Sequence, residues 1–458
     1  MKVDTHLEPA GLTGAIDRLW QVSAVKLAAI ERRHPSSEDA LVYTVNGIYT
    51  ARGWTEWTIG FRYGSALLQF DATGERRFLE IGRRGTLERM GPHLTDTGVH
   101  DHGFTTVSTY GHLWRLLREG RFRGGDWERR TYETALACSA AVQARRWTSL
   151  GDGAGFIHSF NGPQSLFVDT IRTLRALAVG HRLGHVLLEE SGRRVSLLDR
   201  LVMHAAATAR YLVSSGGSGD IYATRGRVTH EAIFNVADRS FRCLSSQQGY
   251  SPFTTWMRGL AWAMCGFAEQ LEFLETVEPL HLRASGGALA VRRFMTRAAC
   301  DACDYYLANT PSDGVPYWDT GAPGLRHLED YLGKPADPFN RHEPVDSSAA
   351  AIAAQGLLRL GHYLRRRQPA RARRYWQAGL TVMRTLLDEP YLSTSRRHEG
   401  LLLHSVYHRP MGWDAVPPGQ SVPCGESSMW GDYHLREAAS YLQRVARDEP
   451  YPTFWGTV

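Results

Sequence analysis

An all-α fold, an (α/α)6 barrel of six helical hairpins in a single domain over residues 1–458, is what the sequence predicts, on three observations. Helical periodicity runs through most of the chain, while strand patterns are few. The helical segments are of two kinds, and the kinds alternate without exception. The long loops rich in Gly, Pro, Trp and His precede helices of one kind.

The first kind is amphipathic and charged: roughly 10–33, 75–92, 126–146, 194–213, 287–308 and 369–388. The second is poor in charge: roughly 57–71, 103–119, 163–184, 254–276, 346–363 and 426–446. From Thr254 to Ala268 the only charge is Arg258, and from Ser347 to Leu358 there is none. A helix apolar on nearly every side is buried on nearly every side. Six hairpins closed in a ring, with the charge-poor set inside, satisfy both kinds. The loops GWTEWTIG, VHDHG, GAGFIHSFNGP, SSQQGYSP and PVDSS would then gather at one mouth. Long loops of this sort are usually functional, so a site is expected where the inner helices begin.

Composition narrows the function. The first residues carry an Asp, a His and a Glu before any apolar run, unlike a signal peptide. No stretch of about 18 uncharged apolar residues exists, which argues against a membrane span. Six cysteines are too sparse for a disulfide framework, so a reducing, cytoplasmic setting is expected. Cys300 and Cys303 fall on one face of a helical pattern, a packing arrangement by default. The net charge of +6 is mostly Arg spread along the chain, without the basic stripe of a nucleic-acid binder. A small anionic substrate would suit it.

Three constellations stand out at the predicted inner-helix starts. In VHDHGF, Asp101 could cap a helix, line an active site, or join His100 and His102 at a metal. No HExxH or CxxC-plus-His partner is evident, so the metal reading loses, and no metal or cofactor is expected. Asp169, in PQSLFVDTIRTLRALAVG, reads as two turns into a helix that starts at Pro163. There it is an i,i+3 partner of Arg172, a satisfied core carboxylate, or a catalytic acid. The stretch from His230 to Gln248 leads into SSQQGYSPFTTWMRGLAW. Arg258 needs an anionic partner, either a core Asp or a substrate carboxylate. Trp262, one turn on, and the pair Trp57 and Phe61 offer flat apolar faces, as core packing or as sugar platforms.

Taken together, WTIGF, HDHGF, FVDT, His230, QGYSPFTTWMRGLAW, GVPYWDTG, DSSAAAIAAQGLL and GDYHLREA resemble the unsaturated glucuronyl hydrolases of glycoside hydrolase family 88. The resemblance covers residues from about 50 to 445, in the family's order. It implies an (α/α)6 barrel that removes the 4,5-unsaturated uronic acid from the non-reducing end of anionic, lyase-generated oligosaccharides. Asp169 is then the general acid/base, and Asp101 binds ring hydroxyls and sets its partner's charge. His100, His230, Gln248, Arg258 and Trp262 would fix the sugar, with Trp57 and Phe61 walling the pocket. Phe160, in HSFNGP, stands where the family has an aromatic before the second Asp. Leu260 replaces a Gln, and Gln247 replaces a His, departures that bear on substrate preference. A monomer or homodimer is expected.

The implied reaction hydrates the C4=C5 double bond, giving a hemiketal that opens and releases the rest of the oligosaccharide. The carboxylate spacing that sorts inverting from retaining glycosidases does not apply to it. One residue can protonate C4 and then take a proton from water. An Asp serves near neutrality only if its pKa rises from about 3.9; burial and an anionic Asp101 are expected to raise Asp169. Unsaturated rhamnogalacturonyl hydrolysis, sugar epimerisation and a non-catalytic carbohydrate-binding toroid are the rival readings. The epimerase would use paired histidine bases, and the toroid would have no use for an acid among apolar residues.

Overall fold

The computed structural model describes residues 1–35, 40–52, 57–151, 153–217 and 222–454. Part of the GWTEWTIG loop, residues 53–56, lies outside them. Among the described residues twelve long helices alternate as expected. The outer set is α1 (Thr13–Arg33), α3 (Arg76–Arg89), α5 (Asp126–Arg145), α7 (Leu197–Tyr211), α9 (Ala288–Ala308) and α11 (Pro369–Leu386). The inner set is α2 (Ile59–Thr73), α4 (102–118), α6 (170–182), α8 (Met257–Leu274), α10 (Ser347–Leu364) and α12 (Met429–Ala446). Each inner helix packs on the next, and α12 returns to α2, which closes the ring. Every residue of α8 is buried, as a charge-poor interior helix requires.

Local chemistry sets the boundaries. Gly74, with φ 74°, ends α2 in the left-handed conformation and lets α3 begin two residues later. Pro369 opens α11. Asp346 caps α10 by accepting the backbone N–H groups of Ser348 and Ala349, and Ser428 caps α12 through Gly431. The helix α4 widens by one residue per turn over Val107–Gly111. Gly103 at its start explains one glycine of the HDHGF stretch. A Cβ there would lie 2.3 Å from the Thr173 carbonyl oxygen of α6, so only glycine lets the two inner helices meet.

The mouth loops contain more structure than periodicity suggested. Among the described residues nine short strands form four small sheets, three of them in loops that precede inner helices. They are β1 (Ala40–Val45), β2 (Ile48–Arg52), β3 (Trp147–Ser149), β4 (Gly155–Ile157), β5 (Ser165–Phe167), β6 (Leu187–Leu188), β7 (Arg194–Val195), β8 (Glu231–Phe234) and β9 (Phe241–Ser245). The β1–β2 hairpin turns on Asn46 and Gly47, both at positive φ. An Asn-Gly pair between apolar runs favours that turn. β5 pairs with β8, and β8 with β9. The segment 163–169 is therefore not the first two turns of an inner helix; α6 starts at Thr170. Pairing with β8 overrides the helical pattern there, and it brings Phe167 and Asp169 beside His230.

The barrel axis is polar and fully buried. Arg172 of α6 pairs with Glu269 of α8, and at 3.0 Å with Glu437 of α12. Arg175 reaches Glu437 at 3.4 Å, Ser108 at 2.7 Å and the Gly103 carbonyl at 2.6 Å. The i,i+3 partnership between Asp169 and Arg172 gives way to this network, which ties α4, α6, α8 and α12 together. The six cysteines are free, and Cys300 and Cys303 are buried in α9 as packing residues. Among the described residues no helix is long and apolar enough to cross a membrane.

Candidate active site

Asp101 and Asp169 each occupy the residue before the first turn of an inner helix, where an aspartate commonly caps. Neither carboxylate makes a capping bond, in contrast to Asp346. The capping reading of Asp101 thus fails, and both side chains are left for other work. Both are nearly buried, at 6% and 8% exposure. His100 joins them. Its Nε2 lies 3.2 Å from Asp169 Oδ2 and 3.8 Å from Asp101 Oδ1. His102 faces elsewhere, with Nδ1 against Ser139 Oγ at 2.7 Å and Nε2 against the Asp96 carbonyl at 2.9 Å. The two imidazoles of HDH therefore do different jobs, one in the site and one in the scaffold.

Electrostatics assigns the protons differently from the expectation. Burial pushes Asp101 up to about 6, with the charge of Asp169 adding to the rise and His100 opposing it. Burial would raise Asp169 as well, but the charge and hydrogen bond of His100, aided by His230, bring it below the usual carboxylate value. Burial disfavours a charged His100, yet the two carboxylates outweigh that and raise its pKa. Asp101 is then the more readily protonated carboxylate, and His100 holds Asp169 toward its anionic form. The reason is contact: His100 sits closer to Asp169.

The other candidates divide. His230 is buried, its ring against Phe167 at 4.4 Å and Trp256 at 5.0 Å, and burial lowers its pKa to about 4. Phe160 is 52% exposed and stacks on His100 at 6.0 Å, forming one lip. Trp57 is half-buried and stacks on Trp430 at 5.1 Å. Phe61 and Trp262 do not wall a cavity. Phe61 is fully buried against Trp57, Phe104, Tyr433 and His434, and Trp262 is covered by Phe104 and His434. They are packing beneath the site.

Arg258 also departs from its expected role. At 2% exposure it donates to Asp346 Oδ2 at 2.9 Å, to the carbonyls of Val406 and Tyr407 at 2.6 and 2.7 Å, and to Gln248 Oε1 at 3.1 Å. A cation inside an apolar helix needs a buried counter-ion, and Asp346 is that ion. The guanidinium thereby orients the Gln248 side chain through its amide oxygen. Sequence reasoning missed Arg146, which holds the walls of the site together. Its guanidinium bonds the carbonyls of Thr97, His158 and Ser159, joining the His100 loop to the Phe160 loop. Nothing in its local sequence, the end of an ordinary outer helix, marks it.

One atom each of His100, Asp101 and Asp169 lies within 4.8 Å of the others, so the trio could take a divalent cation. The His100–Asp169 contact is at hydrogen-bond length, an arrangement that a proton satisfies without an ion.

No known family model matches the chain. It is 26% identical over 408 residues, 86% of its length and 88% of the relative's, to the unsaturated glucuronyl hydrolase of Bacillus sp. strain GL1. It is 24% identical over 416 residues to the unsaturated chondroitin disaccharide hydrolase of Streptococcus pyogenes serotype M1, covering 89% and 86% of the two chains. The chain is thus similar to unsaturated glucuronyl and chondroitin disaccharide hydrolases over most of its length. The crystal structure of that hydrolase from Bacillus sp. GL1 superposes with a TM-score of 0.68 at 23% identity, covering 96% of this chain and 98% of that one. The six-hairpin barrel is thus shared along nearly the whole of both chains.

Proposed function

We propose that the chain is a glycoside hydrolase that releases 4,5-unsaturated uronic acid from the non-reducing end of lyase-generated oligosaccharides. The observation that carries this is the meeting of two uncapping, nearly buried carboxylates with His100 at the barrel mouth. The relatives it matches are, by name, an unsaturated glucuronyl hydrolase and an unsaturated chondroitin disaccharide hydrolase.

The double bond is conjugated with the uronate carboxyl and is part of an enol ether. Hydration needs a proton at C4 and water at C5, and positive charge builds at C5 on the way. Asp169 is the residue we assign to both proton transfers. His100 holds it toward the anion, so Asp169 must gain a proton when substrate binds. The substrate carboxylate adds a negative charge to an enclosed space, which raises both aspartates. Asp101, which already holds a proton up to about pH 6, is the neighbour from which the pair is supplied. After delivery, Asp169 is again the base that takes the proton from water, and its charge faces the developing cation.

Asp169→Asn is expected to abolish loss of the ultraviolet absorbance of the conjugated uronate, with an unchanged circular dichroism spectrum. An Asn variant that turns over at the wild-type rate removes Asp169 from the reaction. A panel of lyase-generated disaccharides read by the same absorbance tests the substrate class, and turnover of the rhamnogalacturonan-derived member alone would transfer the assignment to that rival.

A further inference from the structure

The motif GVPYWDTG includes a residue to which the reaction gives no role. Asp319 is fully buried, and its carboxylate accepts the Tyr250 N–H at 2.8 Å on Oδ2 and the Gly321 N–H at 2.9 Å on Oδ1. Backbone bonds fasten the same segment to the start of α8: Thr320 N–H to the Thr255 carbonyl at 3.0 Å, and Met257 N–H to the Trp318 carbonyl at 3.0 Å. Gly249 is pressed into this latch, for a Cβ there would lie 3.0 Å from Asp319 Oδ2 and 2.6 Å from Ser246 Oγ.

The turn so held presents backbone donors to His230. The N–H of Gln247 points at His230 Nδ1 at 2.9 Å, and that of Gln248 at 3.4 Å. A nitrogen that accepts hydrogen bonds carries a lone pair, so the ring proton must sit on Nε2. Nε2 is buried and has no hydrogen-bond partner among the described residues. An unpaired buried N–H is costly unless a ligand completes it. The charged and titratable groups that act on the ring are Asp169, His408, Arg258 and His100.

We propose that Asp319 is a positioning residue: through the 247–250 turn it fixes His230 as a neutral imidazole whose Nε2–H is offered to an oxygen of the bound sugar. The sugar is the one assigned under the proposed function, but the tautomer is a property of the free protein. The low pKa of His230, about 4 through burial, agrees with a ring that stays neutral. A donor that is always protonated can hold a sugar oxygen without entering the proton traffic between Asp101 and Asp169.

The test is nitrogen NMR of the full-length, histidine-labelled protein without substrate, with His230→Gln identifying the resonance. The expected wild-type pattern at neutral pH is a bare Nδ1 and a protonated Nε2. In Asp319→Ala the pattern should become a mixture of tautomers, and the kcat on unsaturated disaccharide should fall about tenfold or more. In a His230→Gln background the same Asp319 change should cost no further kcat. Asp319→Asn, which keeps shape and one acceptor, should lie between. A wild-type ring protonated on Nδ1, an unchanged tautomer in a folded Asp319 variant, or a loss that multiplies in the double variant would each overturn the proposal. The wild-type spectrum decides even if Asp319→Ala does not fold. A protein with the expected tautomer but no turnover of unsaturated uronates would overturn the proposed function and leave the latch standing.

Discussion

At Asp101 burial works against the fold. Its carboxyl is raised to about 6 in the native site, against an ordinary value of 3.8, chiefly because the native site desolvates it. Between those values the folded chain binds more protons than the unfolded one, so this group's contribution falls as pH rises from 3.8 to 6. The penalty is complete above about pH 6 and absent below 3.8, and the difference corresponds to at most roughly 3 kcal/mol. Asp101→Asn should therefore raise the urea midpoint at pH 7 but not at pH 3.5, while abolishing turnover. Equal stabilisation at both pH values would show that charge burial is not the cause. The same proton gives an activity prediction. With Asp101 as the proton reserve and Asp169 as the anion, kcat/KM should decline on the alkaline side of about 6 and on the acid side below the usual carboxylate range. An alkaline limb that stays in place in His100→Ala would deny that His100 sets the division of labour.

At the scale of elements, the hinge between packing and function is the start of each inner helix. Arg258 on α8, Asp346 at the cap of α10 and the Val406–Tyr407 backbone form one buried unit that points Gln248. Removing the cation leaves Asp346 buried without its counter-ion, so Arg258→Met should cost about 3–5 kcal/mol in denaturant unfolding. A substrate-only Arg258 would instead raise KM and leave the unfolding curve in place. This is also where reading the sequence reached its limit. Charge-poor runs such as 254–276 and 346–363 identify the inner helices to within a few residues, because full burial tolerates few alternatives to apolar side chains. Asp101, Asp169 and His100 are legible by motif, and they do converge. The partners of Arg258 are not legible, since a guanidinium in an apolar helix looks the same whether its anion comes from the chain or from a ligand. Phe61 and Trp262 were misplaced for a similar reason: helical spacing shows that two rings share a face, but not whether other rings cover it. The β5 strand was missed because three residues, Ser165–Phe167, carry no period of their own, and only β8 decides their conformation. The β1–β2 turn at Asn46-Gly47 did carry a local signal that the helical pattern overshadowed.

The whole barrel is held along its axis by ions, and that sets how it should respond to acid. Glu437 is held well below its ordinary value; burial opposes this, but Arg172 and Arg175 outweigh it. Asp71, between Arg115 and Arg444, is likewise brought to about 2 against the effect of burial. For both, the folded carboxylate binds protons less readily than the unfolded one, so their stabilisation is complete above the ordinary values of 4.5 and 3.8. It is lost as pH falls toward the folded values. The sign is opposite to that of Asp101, whose penalty fades over part of the same descent. Stability should thus hold or rise slightly from pH 6 to about 4.5 and then fall steeply. Glu437→Gln leaves Arg175 without a carboxylate partner and Arg172 with Glu269 alone. It should cost about 3–5 kcal/mol at pH 7 by urea unfolding, and its loss of stability below pH 4.5 should be shallower than that of the wild type. Parallel curves below pH 4.5 would mean that the axis does not govern acid unfolding. The mouth and the axis meet at Gly103, whose carbonyl is a ligand of Arg175 and whose neighbour two residues back is Asp101. A second measurement on Glu437→Gln follows from that link: at pH 6, where the variant is still folded, kcat should fall with the loosened α4 while activity stays indifferent to added chelator. A variant with full kcat would show that the site is positioned by its loops alone.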